Sequence, residues 1–244
     1  KRISQNIYRK ETVYRCVSEA VRSYTGGNRM NEIVEFIAKH KVVVICRGLY
    51  DNELIKTIRA LYDGGIRVVE VTFDQADPDA VEKTCGAIRT IKEHFPQMKV
   101  GSGTVTCVKH VLATKEAGGE FCLSPDVNTE VIRATKEAGL ISIPGAMTST
   151  EILQAHNAGA DIVKIFPAGW LGLSYLKDVK GPINHVKFLA AAGVNEENFK
   201  EYLNAGYCAA GISGRFIDRK VIAEGNFEEL TRRARIFTDI ANTC

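Results

Sequence analysis

No run of apolar residues in this 244-residue sequence approaches the roughly 18 to 20 that a membrane-crossing helix needs, so a helical membrane protein is excluded. No basic-then-apolar leader with a small-residue cleavage site opens it either, and a cytoplasmic location is expected. Aromatic residues are scarce at 8%, with a single tryptophan, but 45% apolar content supplies enough aliphatic mass for one sizeable core. Paired cysteines are missing. The seven present (Cys16, Cys46, Cys85, Cys107, Cys122, Cys208 and Cys244) form no CxxC and sit mostly in apolar runs, so they read as reduced and buried. Strong charge of one sign is absent too, since 32 Lys plus Arg against 29 Asp plus Glu leave only +3, which does not point to nucleic acid.

That small excess is unevenly placed. Residues 1–29 carry seven basic and two acidic residues, a net of +5, and positions 30–244 are left slightly acidic at −2. Val13, Cys16, Val17, Ala20, Val21 and Tyr24 recur at the spacing of one helical face. The sequence therefore reads as a basic, dispensable helical extension over 1–29 followed by one domain over 30–244.

The domain repeats. Gly65, Gly118, Gly139, Gly159 and Gly206 each close an amphipathic stretch just before an apolar, β-rich run, and Ala-Thr-Lys-Glu-Ala-Gly occurs at both 113–118 and 134–139. Glycine fits a helix end because helices commonly terminate on a left-handed residue. Eight apolar runs follow in order: Val42–Cys46, Val68–Thr72, Met98–Gly103, Glu120–Ser124, Leu140–Pro144, Asp161–Phe166, Val186–Ala190 and Tyr207–Ser213. Helical patterns such as Asn52–Asp63, Val127–Ala138 and Glu151–Ala158 separate them, and Met30–His40 precedes them as a plug for the barrel floor. Strict alternation predicts an α/β fold, a (β/α)8 TIM barrel, with an open doubly wound sheet as the other arrangement.

Active sites of such barrels lie where strands end. Two ionisable residues stand inside apolar strand runs, Lys164 in Asp-Ile-Val-Lys-Ile-Phe-Pro and Glu70 in Arg-Val-Val-Glu-Val-Thr-Phe. A charge in a doubly covered strand is costly unless it is used or paired. A desolvated lysine keeps enough neutral amine to attack a carbonyl, and a buried carboxylate is the matching general base. A structural ion pair across the barrel interior is the alternative. Gly193 after the seventh run and Gly211-Ile212-Ser213-Gly214 at the eighth match a phosphate-binding helix N-terminus, or simply tight turns. Arg47, ending the first run, is a candidate anion contact or a solvated strand end. The five histidines avoid the strand ends and none pairs with a carboxylate at ligand spacing, which disfavours a metal.

Five segments in order, Val68-Val69-Glu70-Val71-Thr72, Gly101-Ser102-Gly103-Thr104-Val105, Ser124-Pro125, Ile143-Pro144-Gly145 and Lys164-Ile165-Phe166-Pro167-Ala168, resemble the bacterial 2-keto-3-deoxy-6-phosphogluconate (KDPG) / 4-hydroxy-2-oxoglutarate (KHG) aldolases. The resemblance covers about residues 30 to 240. It implies a homotrimeric, metal-free class I aldolase without a separate cofactor, acting on a small keto-acid substrate in the Entner-Doudoroff pathway. Lys164 would form the Schiff base with pyruvate, and Glu70 would move protons at the pyruvyl methyl and the aldol hydroxyl. Thr104 would bind the pyruvate carboxylate with Phe166 and Pro144 around it. Gly193 and Ser213, with nearby backbone amides, would hold a distal phosphate.

The departures bear on substrate. Asp74 stands where the family often has an arginine and would repel an anion, a role that Arg47 is placed to take over. Ala191 stands where a threonine hydroxyl helps to set stereochemical preference. KDPG and KHG cleavage is therefore the leading reading, a 2-keto-3-deoxy-6-phosphogalactonate aldolase is the second, and an oligomeric barrel scaffold with eroded catalysis is the third.

Overall fold

A computed structural model of the chain describes residues 26–50 and 52–244. Helices and strands alternate as α1 (Gly26–His40), β1 (Val42–Cys46), α2 (Glu53–Asp63), β2 (Val68–Thr72), α3 (Ala80–His94), β3 (Lys99–Gly103), α4 (Val108–Glu116), β4 (Phe121–Leu123) and α5 (Thr129–Glu137). They continue as β5 (Ile141–Ile143), β6 (Gly145–Ala146), α6 (Ser149–Asn157), β7 (Val163–Ile165), α7 (Ala168–Lys180), β8 (Phe188–Ala191), α8 (Phe199–Ala205), β9 (Ala209–Ile212), α9 (Arg219–Ala223) and α10 (Phe227–Asn242). Every pairing is parallel, and the strands follow the order β5-β4-β3-β2-β1-β9-β8-β7-β6, with the first strand, β1, paired to the last, β9.

Nine strand segments appear where eight runs were expected, because the fifth strand continues past the expected end at Pro144 to Gly145–Ala146 and is interrupted at the proline. Proline has no amide hydrogen to give to a ladder. The half before it, β5, pairs with β4, and the half after it, β6, pairs with β7, so the single run 141–146 closes the ring. The Pro144 carbonyl still accepts the Lys164 amide at 2.8 Å. The sixth run begins late, at Val163, because Asp161 turns its carboxylate to the Ser142 amide (2.8 Å) and to Lys136. All five repeat glycines end their helices with positive φ: Gly65 97°, Gly118 81°, Gly139 70°, Gly159 106° and Gly206 105°.

The outward strand faces, including Val42, Val44, Val69 and Val71, pack under the surrounding helices. Inside, Val43, Val68, Phe121, Ile141, Leu189 and Ala209 fill the floor, and α1 closes it from below with Ile33, Val34 and Ile37. A β-carbon on Gly101 would lie 2.3 Å from Phe121, so this glycine makes room for the largest side chain of that layer. The aliphatic floor leaves the opposite end of the barrel to polar groups.

Of the expected extension over residues 1–29, residues 1–25 lie outside the described residues, and 26–29 belong to α1, so the boundary drawn at residue 30 falls within a helix. Among the described residues, no helix is long and apolar enough to cross a membrane. Cys46, Cys85 and Cys122 are buried and free, as expected. Cys107 and Cys244 are exposed, and Cys208 is half-buried. Cys107 is exposed because it stands at the N-cap of α4 rather than in a strand.

Candidate active site

A cavity of about 440 Å³ opens at the C-terminal ends of the strands. Arg47, Glu70, Thr104, Lys164, Phe166, Gly193 and Ser213 all line it. Pro144 does not. It lies beneath, in the ladder, and the proline at the cavity wall is Pro125, from the Ser124-Pro125 segment.

Glu70 is 3% exposed and Lys164 8% exposed, on β2 and β7, and strand alternation turns both inward with the floor residues Val68 and Ile162. No direct ion pair joins them: Glu70 Oε2 is buried without a hydrogen-bond partner. Their attraction acts through space, without a hydrogen bond between them. Desolvation lifts the Glu70 carboxyl to about 7, against the pull of Lys164 and Arg47. Desolvation also lowers the Lys164 amine, with Glu70 opposing and Arg47 adding to the effect. Glu70 thus holds a mixture of protonation states near neutrality and Lys164 keeps more neutral amine than an ordinary lysine, which suits a nucleophilic amine beside a proton-transferring carboxyl. Lys164 Nζ sits 5.0 Å from the centroid of the Phe166 ring.

Gly103 makes this geometry possible. A β-carbon there would lie 2.4 Å from Glu70 Oε1, so only glycine lets the carboxylate lean across β3. Gly103→Ala is expected to lower turnover by about 100-fold or more through displacement of the Glu70 carboxyl by about an ångström. Steady-state kinetics beside an unchanged circular-dichroism spectrum would check it; wild-type turnover in Gly103→Ala would contradict this placement of Glu70.

On one wall, Arg47 donates through Nη2 to Thr104 Oγ1 at 3.5 Å, so a cation and a hydroxyl stand together there. Asp74 takes no part in the lining. Its carboxylate accepts the Ala76 amide at 3.0 Å in a local turn outside the cavity. Ser213, just past β9 and beside β1, lines the cavity next to Arg47, but its hydroxyl donates to the Ile45 carbonyl at 3.0 Å. Gly193 is required at its turn, with φ +85° and a hypothetical β-carbon 2.6 Å from the Gly169 backbone, where α7 begins. Arg215 was missed by sequence reasoning. It reaches the cavity from the loop after β9, ion-paired with Glu196. Ala191, as read from the sequence, presents only a methyl group to the cavity.

Among the described residues, no group of three His, Cys, Asp or Glu is placed to hold a metal ion. The arrangement offers instead one buried amine, one buried carboxyl and two guanidiniums, a set suited to an anionic carbonyl compound.

Comparison with known proteins agrees. The family model described as KDPG and KHG aldolase matches residues 31–233. The chain belongs to the KDPG and KHG aldolase family. It is a class I, Schiff-base aldolase, a carbon–carbon lyase. The KHG/KDPG aldolase of Escherichia coli K12 is 30% identical over 180 residues, covering 72% of this chain and 81% of that protein. The 2-dehydro-3-deoxy-6-phosphogalactonate aldolase of the same strain is 27% identical over 208 residues, covering 82% and 99%. In solved structures, the KDPG aldolase of Legionella pneumophila, with pyruvate captured as a covalent carbinolamine, matches the aldolase at a TM-score of 0.73 and 26% identity, covering 82% and 94%.

Proposed function

We propose that the aldolase cleaves KDPG to pyruvate and glyceraldehyde 3-phosphate, KHG to pyruvate and glyoxylate, or both, through Lys164 and Glu70. The observation that carries this reading is the pair itself, a desolvated amine and a desolvated carboxyl facing one cavity whose walls carry Arg47 and Arg215.

The neutral Lys164 amine attacks the C2 carbonyl, and the carbinolamine loses water to give an iminium. Glu70 takes the proton of the C4 hydroxyl. The C3–C4 bonding electrons then pass to the iminium nitrogen as the aldehyde leaves. Glu70 returns that proton to C3 of the enamine, and water releases pyruvate and free Lys164. Arg47 and Thr104 hold the C1 carboxylate through these steps, and Gly193, Ser213 and Arg215 face the distal group. Phe166 covers the Schiff-base nitrogen. A scaffold with eroded chemistry would have no use for two costly buried ionisable groups.

Ala191 bears on the second reading, because a wall without a hydroxyl discriminates C4 epimers weakly. Pyruvate release from KDPG, its galactonate-derived epimer and KHG is expected to differ by less than about 100-fold between the two epimers, within what one missing polar contact leaves in an otherwise shared pocket. Exclusive turnover of the galactonate-derived epimer would assign the second reading. No pyruvate from any of the three would overturn both.

A further inference from the structure

Thr104 combines two features that do not ordinarily go together. It is β-branched, yet its φ is +56°, in the left-handed region that such residues avoid. A conformation of this kind persists only where the surroundings hold it, and at a cavity wall it is usually there for a purpose. Here the purpose is visible, because this backbone turn carries the Thr104 hydroxyl into the cavity beside Arg47.

What holds it comes from the neighbouring strand's loop. Gln75, two residues beyond Phe73, donates through Nε2 to the Thr104 carbonyl at 3.1 Å and to the Phe73 carbonyl at 3.4 Å. Its Oε1 accepts the Thr106 hydroxyl at 2.9 Å. One side-chain amide thus binds both sides of the turn at residue 105, whose own amide is fixed to the Leu123 carbonyl at 3.0 Å. Gln75 is exposed and does not line the cavity, so anything it does for the reaction passes through Thr104. An amide suits this position because it donates to a carbonyl and accepts from a hydroxyl at once, which a carboxylate cannot do.

We infer that Gln75 is a positioning residue for keto-acid binding, clamping the strained Thr104 turn so that its hydroxyl and Arg47 form one carboxylate-binding edge. The inference rests on the Schiff-base reading above. It makes the substrate carboxylate, rather than the aldehyde, the part of the molecule whose binding depends on Gln75.

The test uses pyruvate alone with borohydride, reading adduct formation against pyruvate concentration. Wild-type protein that forms no adduct would count against the Schiff-base reading itself, whereas the comparison among variants addresses Gln75. Gln75→Ala is expected to raise the half-saturating pyruvate concentration by about tenfold, the equivalent of about one hydrogen bond, with the same limiting adduct and an unchanged unfolding midpoint. Gln75→Glu should do the same, because it loses the donor. In a Thr104→Gly background, where the backbone adopts this conformation freely and carries no hydroxyl, adding Gln75→Ala should change nothing further. Half-saturation within twofold of wild type in Gln75→Ala, or full additivity of the two substitutions, would overturn the inference.

Discussion

Lys164→Ala is expected to lose about 10⁴-fold or more in pyruvate release, the scale of removing a covalent nucleophile, while folding as before. The residue is 8% exposed and its ammonium is disfavoured by burial, so deleting it removes a desolvated cation rather than a supporting contact. Lys164→Arg separates charge from nucleophilicity. It restores a cation of similar length, but a guanidinium stays protonated and forms no iminium. Both variants should therefore be equally dead, with Lys164→Ala melting no lower than wild type and Lys164→Arg, which keeps a permanent charge in a desolvated site, melting lower. Turnover above about 1% of wild type in either, against that 10⁴-fold scale, would remove Lys164 from the chemistry.

Glu70→Gln is expected to cost about 10²- to 10⁴-fold in turnover, the range for a positioned general acid and base, and to reshape the pH profile. Wild-type kcat/KM should fall on the acidic side through an apparent pKa near 7, where the buried carboxyl takes up its proton, and the glutamine variant should lack that limb. Stability should move oppositely. Folding raises the Glu70 carboxyl from 4.5 to about 7, so between these values the folded chain holds a proton that the unfolded chain has released. Stability then declines as pH rises across that window and levels off above it. The ionised group costs roughly 3 kcal/mol at alkaline pH. Glu70→Gln should accordingly melt higher than wild type at pH 8 and close to it at pH 4.5, by scanning calorimetry at both. A lower midpoint at pH 8 would show that the carboxylate is stabilised in the fold rather than strained by it.

Much of this was legible in the sequence, for a physical reason. A parallel barrel strand is covered on both faces, so a glutamate or lysine within Val-Val-Glu-Val-Thr or Ile-Val-Lys-Ile announces itself against its neighbours. Helix-ending glycines did the same for the repeat. Features that depend on where side chains turn after the strands end were not legible. Asp74 reads as a charge facing the substrate and stands outside the cavity lining, accepting the Ala76 amide. The Ser213 hydroxyl looked like a phosphate donor and is given to Ile45. Arg215 sits one residue past the Gly-Ile-Ser-Gly segment, and its reach to the cavity depends on the loop after β9 and on Glu196. Gln75 reads as an ordinary loop residue until β2 and β3 lie side by side and bring it to Thr104, 29 residues on. Pro144 was placed in the site by resemblance, whereas its visible work is to split a strand and close the ring.

The proposed chemistry depends on a covalent bond at one nitrogen. The purified protein incubated with pyruvate and borohydride, then digested and mapped by mass spectrometry, should carry a single reduced pyruvyl adduct on the peptide holding Lys164. An adduct on a different lysine, or none at saturating pyruvate, would contradict it.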